Sequence, residues 1–222
     1  AMMVIRLNSL CKGHSGIQPH CIEQLVLFLN SHIHPAVPRI GSLGASGDLA
    51  PLSHLALALI GEGEVMQDDG TLTSTSDVLF TMGVMPVQLT AKDGLSLING
   101  TSQMAAYSTL SHQRLKHLLP LADIILCTSI EARKCSVSPS NELVHKARPH
   151  PGQSLVAQRI RVLLNQSPIV SSHAECDRVQ DAYSFRCAPQ VHGAVLEAFH
   201  RLDAMINTEL NSATDNPLIF PT

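Results

Sequence analysis

The sequence predicts an all-α fold. Two observations carry that expectation. Hydrophobic residues make up 45% of the 222 positions but aromatics only 3%, with no Trp, so Ala and Leu dominate the apolar set. That bias favours helix over sheet, where β-branched and aromatic side chains pack best. The second observation is periodic: apolar residues recur every three or four positions in several long runs bounded by Gly and Pro. A chain of this length buries a substantial core, and residues 1–222 read as a single domain.

Taken in order, residues 1–16 end in Cys11-Lys-Gly-His-Ser-Gly16 and read as the tail of an element and a turn. Ile17 to Leu29 is helical by period, with Ile17, Cys21, Leu25 and Leu29 every fourth residue. Pro35 and Pro38 interrupt the chain. Pro51 sits where a first helical turn can begin, followed by the stripe Leu52, Leu55, Ala56, Leu59 and Ile60. Gly61-Glu62-Gly63 ends that helix. Residues 62–94 then read as a small loop or hairpin excursion, with Asp69-Gly70 as its turn. Ser102 to Leu119 is a long helix closed by Pro120, and Leu121 to Lys134 reads as another. Residues 135–152 are polar and proline-bearing, an irregular connection. Gln153 to Leu164 is amphipathic, 165–180 a polar loop, and Val191 to Leu210 the clearest helix.

Charge and composition exclude several functions. A formal net charge of −3 is too near neutral for a nucleic-acid or anionic-membrane partner. No apolar run is long enough to span a bilayer, and the start lacks a signal-peptide layout, so the expected location is cytoplasmic. The six cysteines show no C-x-x-C spacing and read as reduced thiols. Among twelve histidines the only close pair is His32-x-His34, so no metal site is expected.

The chemistry concentrates in Gly41-Ser-Leu-Gly-Ala-Ser-Gly-Asp-Leu-Ala-Pro-Leu-Ser53. As a phosphate loop it lacks the Lys-Ser/Thr pair, and Asp48 would repel an anion. As a nucleophile elbow, Gly44-Ala45-Ser46-Gly47 is one residue short. An ordinary turn feeding a helix remains the plain reading of the spacing. A further reading is chemical. Gly47 has no Cβ, so its nitrogen can approach the Ala45 carbonyl closely, and Ser46 can lose its hydroxyl as water. Cyclisation and dehydration of Ala45-Ser46-Gly47 would produce an exocyclic methylene, an electrophile that no side chain provides. A helix starting just after it would point amide donors and a positive dipole at developing charge.

Two further runs carry polar groups at close spacing. Leu97-Ile-Asn-Gly-Thr101 places Asn99 before Gly100, which in isolation is a turn. Val179-Gln-Asp-Ala-Tyr-Ser-Phe-Arg-Cys187 packs an amide, an acid, a phenol and a guanidinium into a few positions. Arg186 is a natural fork for a carboxylate, and Tyr183 a candidate proton donor or acceptor. Spacing alone leaves this run readable as a polar surface cluster.

Together these stretches resemble the aromatic amino-acid ammonia-lyases, whose Ala-Ser-Gly forms the methylidene-imidazolone (MIO) group. The signature matches over thirteen uninterrupted residues, and five motifs fall in family order along the chain. The resemblance implies an elongated helical bundle and an MIO formed from Ala45, Ser46 and Gly47. It implies that Arg186 takes the substrate carboxylate, that Tyr183 and Gln180 line the site with Tyr183 as a catalytic group, and that Asn99 and Asn216 bind substrate. The reaction implied is loss of ammonia from an aromatic amino acid without oxidation, in a homotetramer with active sites shared between subunits. Asp177-Arg-Val-Gln-Asp-Ala-Tyr183, Pro189-Gln-Val-His-Gly193 and Asn211-Ser-Ala-Thr-Asp-Asn-Pro217 look most like histidine ammonia-lyases, which convert histidine to urocanate. Ser102 departs from the glutamine usual there. A tyrosine or phenylalanine ammonia-lyase, or an aminomutase, is the alternative on the same scaffold. Family chains are about twice this long, and their base-bearing loop falls upstream of residue 1, so the chain reads as the central portion of a longer lyase. A non-catalytic helical fragment is the reading of a different class.

Overall fold

The computed structural model describes residues 1–220. The chain folds as two compact units: Ala1–Thr109 with the chain from Ile206 on, and Leu110–Met205. Helix dominates both, as composition and period predict.

In the first unit, α1 (Met2–Leu10) and α2 (Pro19–Asn30) pack together, and α3 (Leu49–Leu59) packs on α5 (Asp93–Ile98). Their apolar faces meet in one core: Leu10, Leu25, Phe28, Leu55, Leu59 and Leu97 are among its buried members. Full burial of each such side chain stabilises by roughly 1.5–3 kcal/mol. The stripe read after Pro51 is the buried face of α3, with Leu52, Leu55, Ala56 and Leu59 inside and Ile60 just past its end. Residues 1–16, expected to hold only the end of an element, contain the whole of α1.

The excursion at 62–94 is present and richer than a hairpin. β2 (Glu64–Met66) pairs antiparallel with β3 (Leu72–Ser74) across the expected Asp69-Gly70 turn. Asp69 accepts from the Thr71 amide and hydroxyl, and Gly70 takes φ +85°, which closes that turn. A third strand, β1 (His34–Pro35), adds to the other edge of β2, and helix α4 (Thr75–Met82) follows β3.

The second unit corrects the reading at Pro120. Ser102 to Ala132 is one continuous helix, α6, with Pro120 inside it. Proline removes one donor from the ladder and crowds the preceding turn, at a cost of about 3 kcal/mol. The helix continues because Leu119 and Leu126, on either side of Pro120, pack against the same buried cluster of Cys127, Ile130, Cys135, Val156, Ile160 and Leu196. The stretch 135–152 is less irregular than expected. A turn of 3₁₀ helix at Ser138–Ser140 is followed by α7 (Glu142–Ala147), capped by the Asn141 side chain on the Leu143 amide. α8 (Pro151–Leu163) and α11 (Ala188–Leu210) meet at Gly152 and Gly193, where a Cβ on either would lie within 2.3 Å of the other's backbone. Short turns α9 (Pro168–Ser171) and α10 (Tyr183–Arg186) interrupt the polar loop between them. Among the described residues no helix is long and apolar enough to cross a membrane.

Candidate active site

The signature run is an arch whose shape depends on its glycines. Gly44 and Gly47 take φ +75° and +84°, and the main chain turns back so that both Gly44 and Ala45 bridge to Gly47. L-residues pay a steric cost at such φ values. A Cβ on Gly47 would also sit 2.5 Å from the Gly100 carbonyl oxygen, so glycine is required twice over. Ala45 and Ser46 are exposed at the tip. The turn brings Gly44 and Ala45 back beside Gly47.

Asp48, read from sequence only as an obstacle to anions, anchors the arch. It is fully buried. Its amide donates to the Gly100 carbonyl at 2.7 Å. Its carboxylate accepts from the Gln103 and Met104 amides, both at 2.9 Å, and from the Ser42 hydroxyl at 3.0 Å. The side chain therefore satisfies donors that the first turn of α6 leaves open, where negative charge is also favoured by the dipole. It does not cap its own helix, α3, which begins one residue later.

The two asparagines meet. Asn99 ends α5 in extended conformation, and its Nδ2 donates to the Asn216 carbonyl at 2.9 Å. Gly100, the next residue, is the acceptor of the Asp48 amide. Ala45, Ser46, Gly47, Asn99 and Asn216 thus belong to three distant runs gathered in the first unit.

Gln180, Tyr183 and Arg186 form a second set, in the second unit. The Arg186 Nε donates to the Asp181 carbonyl at 3.1 Å, and its guanidinium lies 5.2 Å from the Tyr183 ring centroid, a cation–π geometry. Gln180 and Arg186 line a cavity of about 660 Å³ with Cys135, His173, Arg178 and Asp181. Tyr183 is 71% exposed and is not part of that lining. Asp181 organises the segment: it accepts from the Ser136 amide at 2.7 Å and from Arg178 Nη1 at 2.9 Å. Burial works to raise its pKa, but these donors together hold it below the ordinary carboxylate value.

One cluster has no signature in the sequence. Donor atoms of His20, Cys21 and Asp93 lie within 4.8 Å of one another. Asp93 accepts from the Gln18 amide and from the Thr90 amide and hydroxyl, which ties the start of α2 to the residues leading into α5. Burial, then the charge of Asp93, pushes the Cys21 thiol up to about 11, so it keeps its proton at neutral pH. His32 and His34, the pair picked out by spacing, meet edge to face at 6.3 Å.

Known proteins resemble the chain over nearly its whole length. The chain is 49% identical over 220 residues to a histidine ammonia-lyase from Gloeobacter violaceus, covering 99% of this chain and 43% of that protein. Among solved structures, histidine ammonia-lyase from Trypanosoma cruzi superposes with TM-score 0.86 at 42% identity, covering 99% of this chain and 40% of that one. Tyrosine aminomutase from Streptomyces globisporus also gives TM-score 0.86, at 41% identity over 99% of this chain and 45% of that one. The chain therefore spans less than half the length of these relatives. The family model described as "Aromatic amino acid lyase" matches residues 1–222, and the chain belongs to that family.

Proposed function

We propose that residues 1–222 are the central, ring-bearing portion of a cytoplasmic lyase that eliminates ammonia from L-histidine to give urocanate. The observation that carries this reading is the arch at Ala45-Ser46-Gly47, locked at Gly47 and Asp48 onto Gly100, beside the Asn99–Asn216 pair. Similarity to histidine ammonia-lyases supports the choice of substrate.

An MIO drawn from Ala45, Ser46 and Gly47 would supply an electrophile against which the substrate's amino group could become a leaving group. The remaining work belongs to side chains. Arg186 offers the planar donor pair that holds a carboxylate. Its stacking on Tyr183 orients both groups. Gln180 and Asn99 present amide donors and acceptors to the polar ends of an amino acid. Asn216 shares the same cluster through its carbonyl. Tyr183 moves a proton at its phenolic oxygen. The enzyme works as a homo-oligomer, a tetramer, in keeping with the exposed Val191, Val195, Leu202 and Met205 on α11.

Intact mass of the chain tests the ring. Loss of two waters localised to residues 45–47, absent in Ser46→Ala, supports the proposal; an unmodified wild-type chain overturns it. Turnover by the full-length enzyme tests the substrate, with urocanate and ammonia expected from histidine. A second reading is a tyrosine or phenylalanine ammonia-lyase or aminomutase on the same scaffold. The tyrosine aminomutase superposition favours it. An arylacrylate or a β-amino acid as product would establish it in place of the first. A non-catalytic fragment predicts no ammonia release from this chain and no ring.

A further inference from the structure

α1 carries no motif that the proposed chemistry uses, yet it holds the asparagine segments together. Arg6 is fully buried. Its Nη1 donates to the Thr214 carbonyl at 2.9 Å and its Nη2 to the Ser96 carbonyl, and Nη2 lies 3.9 Å from the buried Asp215 carboxylate. Asp215 also pairs with Lys92 at 3.2 Å. Lys92 and the Ser96 hydroxyl both donate to the Ser15 carbonyl, at 2.8 and 2.7 Å. A Cβ on Gly100 would sit 2.3 Å from Arg6 Nη1 and 2.7 Å from the Thr214 carbonyl oxygen. The guanidinium therefore lies against the Asn99–Gly100 backbone, and residue 100 has no space for a side chain.

The two carbonyls that Arg6 grips precede Asn99 and Asn216 by a few residues, and the Asn99 amide donates to the Asn216 carbonyl. Burying a guanidinium is costly, and burial lowers the Arg6 pKa while Asp215 pulls it back up. An apolar side chain of similar volume would avoid that cost. What a guanidinium adds is a rigid fork that spans two chain segments at once.

We propose that Arg6 is a positioning residue that sets the register between Asn99 and Asn216, acting through the Ser96 and Thr214 carbonyls and Asp215. For what the two asparagines hold, it rests on the lyase reading.

The test compares Arg6→Met and Arg6→Lys with Asn8→Ala. Asn8 also sits on α1, but its side-chain amide donates to the Leu210 carbonyl at 2.7 Å, at the end of α11 rather than at Ser96 or Thr214. The primary readout is hydrogen exchange of the Asn99 side-chain amide by NMR on the isolated chain. It needs neither ring nor substrate, so it succeeds or fails apart from the lyase reading. Loss of one buried hydrogen bond's worth of order predicts exchange faster by about tenfold in Arg6→Met. Arg6→Lys should recover part of the protection, and Asn8→Ala should leave it unchanged while lowering Tm. Wild-type exchange rates in Arg6→Met, or equal loss in Asn8→Ala, would overturn the proposal. In turnover by the full-length enzyme, Arg6→Met should raise KM for the amino acid more than it lowers kcat, with partial rescue by lysine. An unchanged KM would likewise overturn it.

Discussion

The two units hold their candidate site residues by opposite means. In the first, the arch is fastened by Asp48, a carboxylate with no exposure, whose bonds all go to protein donors. In the second, the segment bearing Gln180, Tyr183 and Arg186 is organised by Asp181, whose partner Arg178 is half exposed. An anchor from which water is excluded holds its segment firmly, since there each bond is hard to replace. The Asp181 pair is open to water on its Arg178 side only, with the carboxylate 7% exposed, so it is screened more than the Asp48 bonds and stabilises less.

Four experiments break or sharpen that contrast. The largest effect is on chemistry: Ser46→Ala should abolish the loss of two waters entirely. Because Ser46 is exposed, its unfolding free energy should stay within about 0.5 kcal/mol of wild type. Intact mass and urea denaturation read the two halves of that expectation.

Next is Asp48→Ala, which leaves the Gln103 and Met104 amides without their acceptor in a buried place. It should cost about 2–3 kcal/mol by denaturant melting and reduce ring formation with it. If Asp48→Ala proved as mild as a surface change, the contrast between the units would fail.

Acid should act gently on the second unit. Asp181 titrates below the ordinary carboxylate value in the folded chain. As pH falls below about 3.9, the unfolded chain takes up the proton first, so stability is lost as pH drops through the lowered folded value. Asp181→Asn should remove that part of the acid dependence, read as a smaller decline in melting temperature from pH 5 to pH 3.

The smallest effect is in thiol reactivity. Cys11 and Cys176 are exposed, whereas burial holds Cys21 and Cys127 at about 11. Iodoacetamide at pH 8 should label the first two and spare the second two until the chain unfolds. Raised thiol values also mean that stability falls as pH rises from about 8.5 toward 11, because the unfolded chain loses those protons first.

Much of this was legible in the chain. The α3 stripe, the Asp69-Gly70 turn and the helix after Val191 follow from periodicity and turn chemistry, which act over one or two turns of backbone. Pro120 misled because its rule is local, while the packing of Leu119 and Leu126 on one cluster is not. α4 and α7 were missed, and α1 was read only as the end of an element, for a related reason. They are short, so their period is weakly expressed, and docking on a core stabilises them more than propensity does.

The sequence by itself determined the family, the order of its motifs and the glycines that let the arch bend, since these depend on residue type and near neighbours. Only tertiary structure decided which polar groups meet. Asp48 finds its acceptor role 55 and 56 positions away, Asn99 pairs with Asn216 across 117, and Arg6 reaches Thr214 across 208. Such pairings come from the burial of apolar faces, which brings distant segments together and leaves each enclosed donor to be matched by whatever acceptor has arrived beside it.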